Sequence, residues 1–387
     1  MTQVATAWLV YRLTGSAFLL GIVGFSSQIA TFLLAPLAGV FTDRGDCRRI
    51  LVTTQCLAAL QSLVLAVLTL TGAIHVGQII ALSVVQGLIN AFDIPTRQVF
   101  LVEMVEDRAD LGNAIALNSS VFNGARLVGP CLAGFVIAAG GEGICFLIDS
   151  ISYLAVIVTL LMMSLAARPI PSARPRIFHE LREGIAYAAG FMPIRVILLL
   201  VAFSSLVALP YTVLLPVVAK ETLHGGPATL GFLTGISGLG ALTGGLYLAS
   251  RRSVRGLVRL TAIATAVFGI SLMIFAVTQV LWAALAILFV IGFGMIVQLA
   301  SCNTVLQTLV EDSKRGRVMS LFMMSFMGMV PWGSLLAGIL ATHIGVARTL
   351  LLEGGACLIG AFVFAGQLPR LKAVIRPTYV KMGIIPF

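Results

Sequence analysis

The sequence predicts an all-α protein that crosses a lipid bilayer many times, and three observations carry that prediction. Of the 387 residues, 59% are hydrophobic and only 10% are charged; with a mean hydropathy of +1.05, the chain has too little polar surface to cover a soluble domain. Residues 50–74, 196–219 and 318–347 contain no Asp, Glu, Lys or Arg, and each run exceeds the roughly 20 apolar residues that cross a hydrocarbon core as a helix. The Lys and Arg residues, finally, gather at intervals between such runs rather than scattering through them.

Read from the amino end, the runs give segments over residues 1–12, 17–42, 50–71, 77–99, 112–138 and 144–166, and then 194–219, 228–250, 257–277, 281–306, 317–341 and 347–368. The apolar text of the first, MTQVATAWLVYR, stops at Tyr11–Arg12 after about half a crossing, which leaves two readings: a stunted helix, or a helix truncated at its start, the second being the expectation. No basic residue precedes it, which excludes a secretory signal. It reads as the outer half of a helix, with about ten further apolar residues expected upstream of Met1. Residues 260–310 carry no charge over 51 positions, too many for one crossing, so two helices with a tight turn near Thr278–Gln279 are expected there. Of the 25 Lys and Arg residues, 21 lie in or beside the connections after segments 2, 4, 6, 8 and 10 or in the tail. The positive-inside rule places those connections and the C-terminus in the cytoplasm.

The six cysteines (Cys47, Cys56, Cys131, Cys145, Cys302 and Cys357) show no CxxC and no His at ligand spacing. They predict neither a metal site nor a disulfide framework, and read as small buried hydrophobes. A net charge of +10 placed at membrane edges does not indicate a nucleic-acid partner.

The longest connection, residues 167–193, opens with Pro/Arg-rich linker text. Ile177, Phe178, Leu181, Ile185 and Tyr187 then recur at near-helical spacing opposite His179, Glu180 and Arg182, which predicts a short amphipathic helix on the inner membrane surface. The connection divides the chain into an N-terminal helix bundle (1–166) and a C-terminal one (194–368), followed by a cytoplasmic tail (369–387). The two halves repeat. Val105-Glu106-Asp107 recurs as Val310-Glu311-Asp312 at an offset of 205, Leu132-Ala133-Gly134 as Leu336-Ala337-Gly338 at 204, and residues 37–39 match 242–244 at 205. Two pseudo-symmetric six-helix bundles fit a secondary transporter.

The turn after the second segment, GVFTDRGDCRR, packs Asp43, Arg44, Asp46, Arg48 and Arg49 into seven positions after thirty residues without a charge. With Gly39 it resembles the loop signature between helices 2 and 3 of the major facilitator superfamily, Cys47 replacing one basic residue. WLVYRLTGSAFLLG (8–21), AFDIPTRQ (91–98) and NAIALNSSVFNGARLVGP (113–130) resemble the branch that includes enterobactin exporters and macrolide-efflux-type proteins. The resemblance spans nearly the whole chain and implies a major-facilitator-type fold. It further implies that Gly39, Asp43, Arg44, Asp46, Arg48 and Arg49 form a conformational gate between the halves; the equivalent second-half loop, ASRRSVRG, has no acid. Gly124, Gly129, Pro130 and Gly134 fit loosely the Gly-Pro motif that exporters carry in helix 5. One departure matters: Ser83 stands three residues before Gln86-Gly87, where drug–proton antiporters often carry Arg.

Polar residues inside the segments supply the remaining candidates. Gln28, Asn90, Asn123, Tyr211, Gln298, Asn303 and Trp332 are candidates to line a substrate cavity, against the plainer role of interhelical hydrogen bonds. Arg126 lies near the middle of segment 5, and a helical rise of ~1.5 Å per residue places Asp93 of segment 4 at a similar depth. The pair is therefore the candidate ion-coupling site, with a purely structural ion pair as the alternative. No GxxxxGK[ST] loop, nucleophile–base pair or HExxH appears, which excludes a primary pump and an intramembrane enzyme. The expectation is a secondary active transporter of the cell inner membrane, a proton-coupled exporter of a small amphipathic molecule (siderophore or drug-like). Uptake or facilitated passage by the same fold is the alternative, and a non-transport membrane protein a distant one. Expected partners are the substrate, a coupling proton or cation and the bilayer; no cofactor or metal is expected, and the protein is read as a monomer.

Overall fold

The computed structural model describes the chain except Glu106, Arg108, Ala109, residues 164–176, Arg252 and residues 382–387. The side chains of Ala35, Pro36, Gly39, Val40, Asp43, Arg44, residues 177–182, Asp312, Ser313, Thr378 and Lys381 are also outside the described set. Among the described residues the chain is helical without a strand: α1 (Thr2–Thr14), α2 (Ala17–Arg44), α3 (Cys47–Leu70), α4 (Val76–Glu103), α5 (Leu111–Met162), α6 (Ile177–Gly190), α7 (Met192–Val207), α8 (Tyr211–Val217) with a π-helical turn (Val218–Thr222), α9 (Pro227–Ala249), α10 (Leu257–Val277), α11 (Leu281–Leu309), α12 (Asp312–Met327), α13 (Val330–Ile344) and α14 (Val346–Lys381). Ten stretches among the described residues are long and apolar enough to cross a membrane.

The helices differ from the expected segments where the backbone bends. α5 counts as one helix of 52 residues, yet Gly141 sits inside it at φ 82 and ψ 172. Straight, it would run about 78 Å, far beyond a hydrocarbon core of ~30 Å. The glycine lets the chain reverse, so the second limb returns antiparallel to α3, with Ser62 donating to the Phe146 carbonyl and Ser150 to the Ala59 carbonyl, each at 2.9 Å. Segment 7 is likewise broken at Leu209–Pro210 into α7 and α8, and segment 11 at Gly328–Met329 into α12 and α13. α14 continues well past the expected end at 368.

Two compact units emerge: residues 1–175 with 224–235, and residues 176–223 with 236–387. In the first, the short α1 is fastened to the second limb of α5 at both ends. Thr2 donates to Asp149, and Arg12 grips the buried Glu142 with Nε at 2.6 Å and Nη2 at 3.2 Å. In the second, α7, α10, α11, α12 and the end of α14 share one apolar core that includes Ile194, Val201, Leu306, Val318, Phe322 and Leu371. α6 packs on α12 through Glu183, which pairs with Arg317 at 2.7 Å, and Tyr187, whose ring lies under Lys314. Ile185, expected on its apolar face, is exposed. No disulfide joins the described cysteines; Cys56 is exposed rather than buried, and Cys131 is half-buried.

Each unit holds the same close helix crossing. A Cβ on Gly87 of α4 would lie 2.4 Å from the Ser27 carbonyl oxygen of α2. A Cβ on Gly292 of α11, 205 positions later, would lie 2.0 Å from the Ser237 carbonyl oxygen of α9. The internal repeat is therefore written in backbone contacts as well as in sequence. Gly87→Ala and Gly292→Ala should each cost about 1–3 kcal/mol through overpacking, read as lowered melting temperature of the purified protein. Gly124→Ala, with open space around its Cα, should leave it unchanged.

Candidate transport site and gate

The densest polar cluster of the first unit is centred on Asp93, which is 9% exposed. Its Oδ1 accepts from Thr54 Oγ1 at 2.9 Å and Gln55 Nε2 at 2.6 Å, both on α3. Its Oδ2 accepts from Arg97 Nε at 3.2 Å and Nη2 at 2.8 Å. The pairing expected with Arg126 is thus corrected: Arg126 is exposed on α5, and Arg97, one turn along α4, holds the carboxylate. Depth alone cannot choose a partner. Residues four apart on a helix share a face, and that spacing decides the pair. Four donors on two oxygens satisfy a buried carboxylate, which would otherwise be costly in lipid. One turn further, Thr42 and Thr96 hydroxyls meet at 2.8 Å between α2 and α4.

The charged turn between α2 and α3 is described in part; the side chains of Gly39, Asp43 and Arg44 lie outside the described residues. Gly45 is required there, because a Cβ would meet the Phe41 carbonyl oxygen at 2.8 Å and Ile50 Cδ1 at 2.7 Å. Asp46 caps α3, its carboxylate accepting from the Arg49 backbone N–H at 3.2 Å and pairing with Arg49 Nε at 3.1 Å. That pair is exposed and contributes little. Arg48 has a different task. Its guanidinium donates to the carbonyls of Leu160 and Leu161, two of the acceptors that the end of α5 leaves without an intrahelical donor. In the described geometry, then, Asp46, Arg48 and Arg49 act within the first unit.

The candidate cavity residues separate into two groups. Tyr211 and Gln298 are buried and serve the second unit's packing: Tyr211 meets Ser237 Oγ at 2.8 Å, and Gln298 Nε2 donates to Ser204 Oγ at 2.7 Å. Beside Gln298, a cavity of about 10 Å³ is lined by Ser204, Ser205, Phe268, Met295 and Phe326. It is water-sized, and the Ser205 hydroxyl has no hydrogen-bond partner among the described residues. Gln28, Asn90, Asn123 and Asn303 are half-buried and bond within their own helices, to Gly24, Gln86, Ser119 and Gln307. Trp332 is 51% exposed.

The helix-5 glycines also divide. Gly124 and Gly129 face open space, whereas a Cβ on Gly134 would meet the Pro227 carbonyl oxygen at 2.7 Å and Gly231 Cα at 3.0 Å. Gly231 and Gly235 present the reciprocal surface to Pro130 and Cys131, and Cys131 Sγ donates to the Gly231 carbonyl at 3.6 Å. α5 and the first turns of α9 therefore touch backbone to backbone, with Pro130 inside the crossing. Arg97, Thr54, Gln55 and the Arg12–Glu142 pair were missed at the level of sequence. The i,i+4 spacing of Asp93 and Arg97 was the available signal.

The sequence profile of the transmembrane secretion effector family, within the major facilitator superfamily, matches residues 1–379. The chain belongs to this family. It is similar to the Staphyloferrin A transporter of Staphylococcus aureus, 29% identical over 377 residues that cover 96% of this chain and 93% of that protein. It is also 29% identical to the multidrug efflux pump Tap of Mycolicibacterium fortuitum, with 96% and 92% covered. Among solved structures, a bacterial homologue of the human lysosomal transporter Spinster superposes with a TM-score of 0.73 at 14% identity, covering 98% of this chain and 94% of that one. As a major facilitator protein the chain is an integral membrane transporter of a small molecule and not an enzyme.

Within this transporter Arg48 and Arg49 of the charged turn should behave differently. Arg48→Gln removes charge-assisted bonds to the Leu160 and Leu161 carbonyls, which have no other partner among the described residues, and should lower stability by about 1.5–3 kcal/mol. Arg49→Gln breaks only an exposed pair and should change it by less than about 1 kcal/mol. Thermal melts of the two purified variants check the ranking.

Proposed function

We propose that this transporter exports a small amphipathic molecule, siderophore-like or drug-like, in exchange for protons across the cell inner membrane by alternating access. The observation that carries export is the similarity along nearly the full length to an efflux pump and to a siderophore transporter, as their names state. The charge pattern supports a cytoplasmic C-terminus and cytoplasmic even-numbered connections. In this reading residues 1–166 and 194–368 are the two moving bundles, residues 167–193 the cytoplasmic linker and residues 369–387 the tail of a monomeric carrier. Of the seven candidates, Gln28, Asn90, Asn123, Asn303 and Trp332 supply the polar and aromatic groups of the substrate path, and the buried Tyr211 and Gln298 support it from behind through Ser237 and Ser204.

Asp93 and Arg126 are assigned to ion coupling in this proposal, now with Arg97 as the direct counter-ion. Asp93 supports it as a buried intramembrane carboxylate whose donors come from two helices. A shift of α3 against α4 would strip Thr54 and Gln55 from Oδ1 and leave Arg97 as its partner. Arg126, an exposed cation within a spanning helix, suits an anionic group entering from the substrate path.

Proteoliposomes loaded with a panel of siderophores and macrolides test the reading. A substrate should leave against its gradient when ΔpH is imposed, and proton movement should accompany it. Asp93→Asn should abolish this concentrative export while sparing substrate counterflow. Concentrative export by the variant driven by ΔpH alone removes Asp93 from coupling, and substrate accumulation toward the cytoplasmic side reverses the assigned direction. At the gate, Asp43→Asn should leave abundance nearly intact while sharply reducing transport, with greater thiol accessibility on the cytoplasmic side. Full transport by that variant reduces Asp43 to a topological charge.

A further inference from the structure

α14 is too long for its task as a spanning helix. Its 36 residues extend about 54 Å, against ~30 Å of hydrocarbon. Along its outer face, exposed Ile359, Phe362 and Val363 give way within about two turns to exposed Arg370, Lys372 and Arg376, so the bilayer edge falls near Gln367–Arg370. The helix does not fray there: Leu371, Ile375 and Tyr379 turn back into the apolar core of the second unit. This extension, which contains Pro369 and Pro377, packs beside the start of α7, and between them lies an open groove of about 490 Å³. Arg195, Arg370 and Gln367 supply its polar wall, and Met192, Val196 and Val374 its apolar wall.

No acidic residue lines the groove, and none follows Glu353 in the sequence. Arg195 spends one N–H on the Ala189 carbonyl at 3.3 Å, leaving most of its five donors unused. Arg370 has no ion-pair or hydrogen-bond partner among the described residues. Two guanidinium forks beside an aliphatic wall, at the level where hydrocarbon meets water, match an amphiphile with an anionic head. We propose that this groove binds an anionic phospholipid, its phosphate held by Arg195 and Arg370 with Gln367 donating alongside, and its acyl chains lying along Val374, Val196 and Met192. Inorganic phosphate shares the head's chemistry but leaves the apolar wall without a partner, which is why the lipid is the assigned occupant.

The assignment does not depend on the transported substrate. Native mass spectrometry of the detergent-purified full chain, titrated with phosphatidylglycerol and phosphatidylcholine in equal amounts, tests it. Phosphatidylglycerol adducts should survive at several-fold higher occupancy than phosphatidylcholine adducts. The Arg195→Gln/Arg370→Gln double variant should bring that ratio to about one, whereas Lys372→Gln, outside the groove, should preserve it. Val374→Trp fills the groove with both arginines intact and should also abolish the preference, which covers failure of the double variant to fold. Equal retention of the two lipids by the unmodified protein overturns the proposal. So does a preference that survives both groove variants, or displacement by inorganic phosphate at the lipid's own concentration, which would make the site one for a free anion.

Discussion

Lipid offers no hydrogen bonds, and the rest of this fold depends on that constraint. Every polar group within a span must find its partner inside the protein. The chain meets the demand mostly one residue at a time: Thr31, Ser83, Thr96, Thr261, Thr265, Ser334 and Thr349 each donate to the carbonyl four residues back. Such bonds cost nothing in tertiary organisation, and they let a helix carry hydroxyls without exposing them to lipid. They also leave the helix surfaces smooth enough for the second device, close approach through glycine. At Gly87, Gly134, Gly231 and Gly292 the backbone itself is the contact surface.

Those glycine contacts explain why the internal repeat survives where side chains have diverged. Gly87 and Gly292 occupy equivalent positions 205 residues apart, although their surroundings differ. Ser27 and Ala30 lie nearest the first, and Ser237 nearest the second. A backbone-to-backbone crossing tolerates replacement of every neighbouring side chain but not a Cβ at its centre.

Much of this was legible from sequence. Charge-free runs and basic connections set the helices, since both obey the bilayer's thickness and the asymmetry of its two faces. Side-chain partnership was less legible. Sequence marks Asp93 as an intramembrane carboxylate, but its partner depends on the direction it points around the helix, which a depth estimate does not contain. The charge pattern groups Arg48 with its neighbours, and only the position of the α5 terminus reveals that its guanidinium reaches a helix end. Reversal at Gly141 and the breaks at Pro210 and Met329 depend on local φ and ψ. The length of α14 depends on the core residues Leu371, Ile375 and Tyr379, whose spacing lies beyond the last apolar run.

The two halves manage their buried carboxylates differently, and the difference bears on motion. Asp93 has four donors drawn from its own helix and its neighbour, so displacing α3 against α4 breaks two bonds while the Arg97 pair travels with α4. The cost is therefore concentrated at one helix interface, and a side chain's worth of movement there changes the balance by a few kcal/mol. Glu353 in α14 is as deeply buried, 5% exposed, yet its Oε2 lacks a hydrogen-bond partner among the described residues. No bond at that oxygen resists sliding of α14. Close backbone packing of Gly354 against Gly269, where a Cβ would lie 2.7 Å from the Gly269 carbonyl oxygen, holds α14 to α10 instead. In the first unit a polar network joins α3 to α4 through Asp93. In the second, close backbone contact joins α14 to α10 without a bond at the buried Glu353 Oε2 among the described residues.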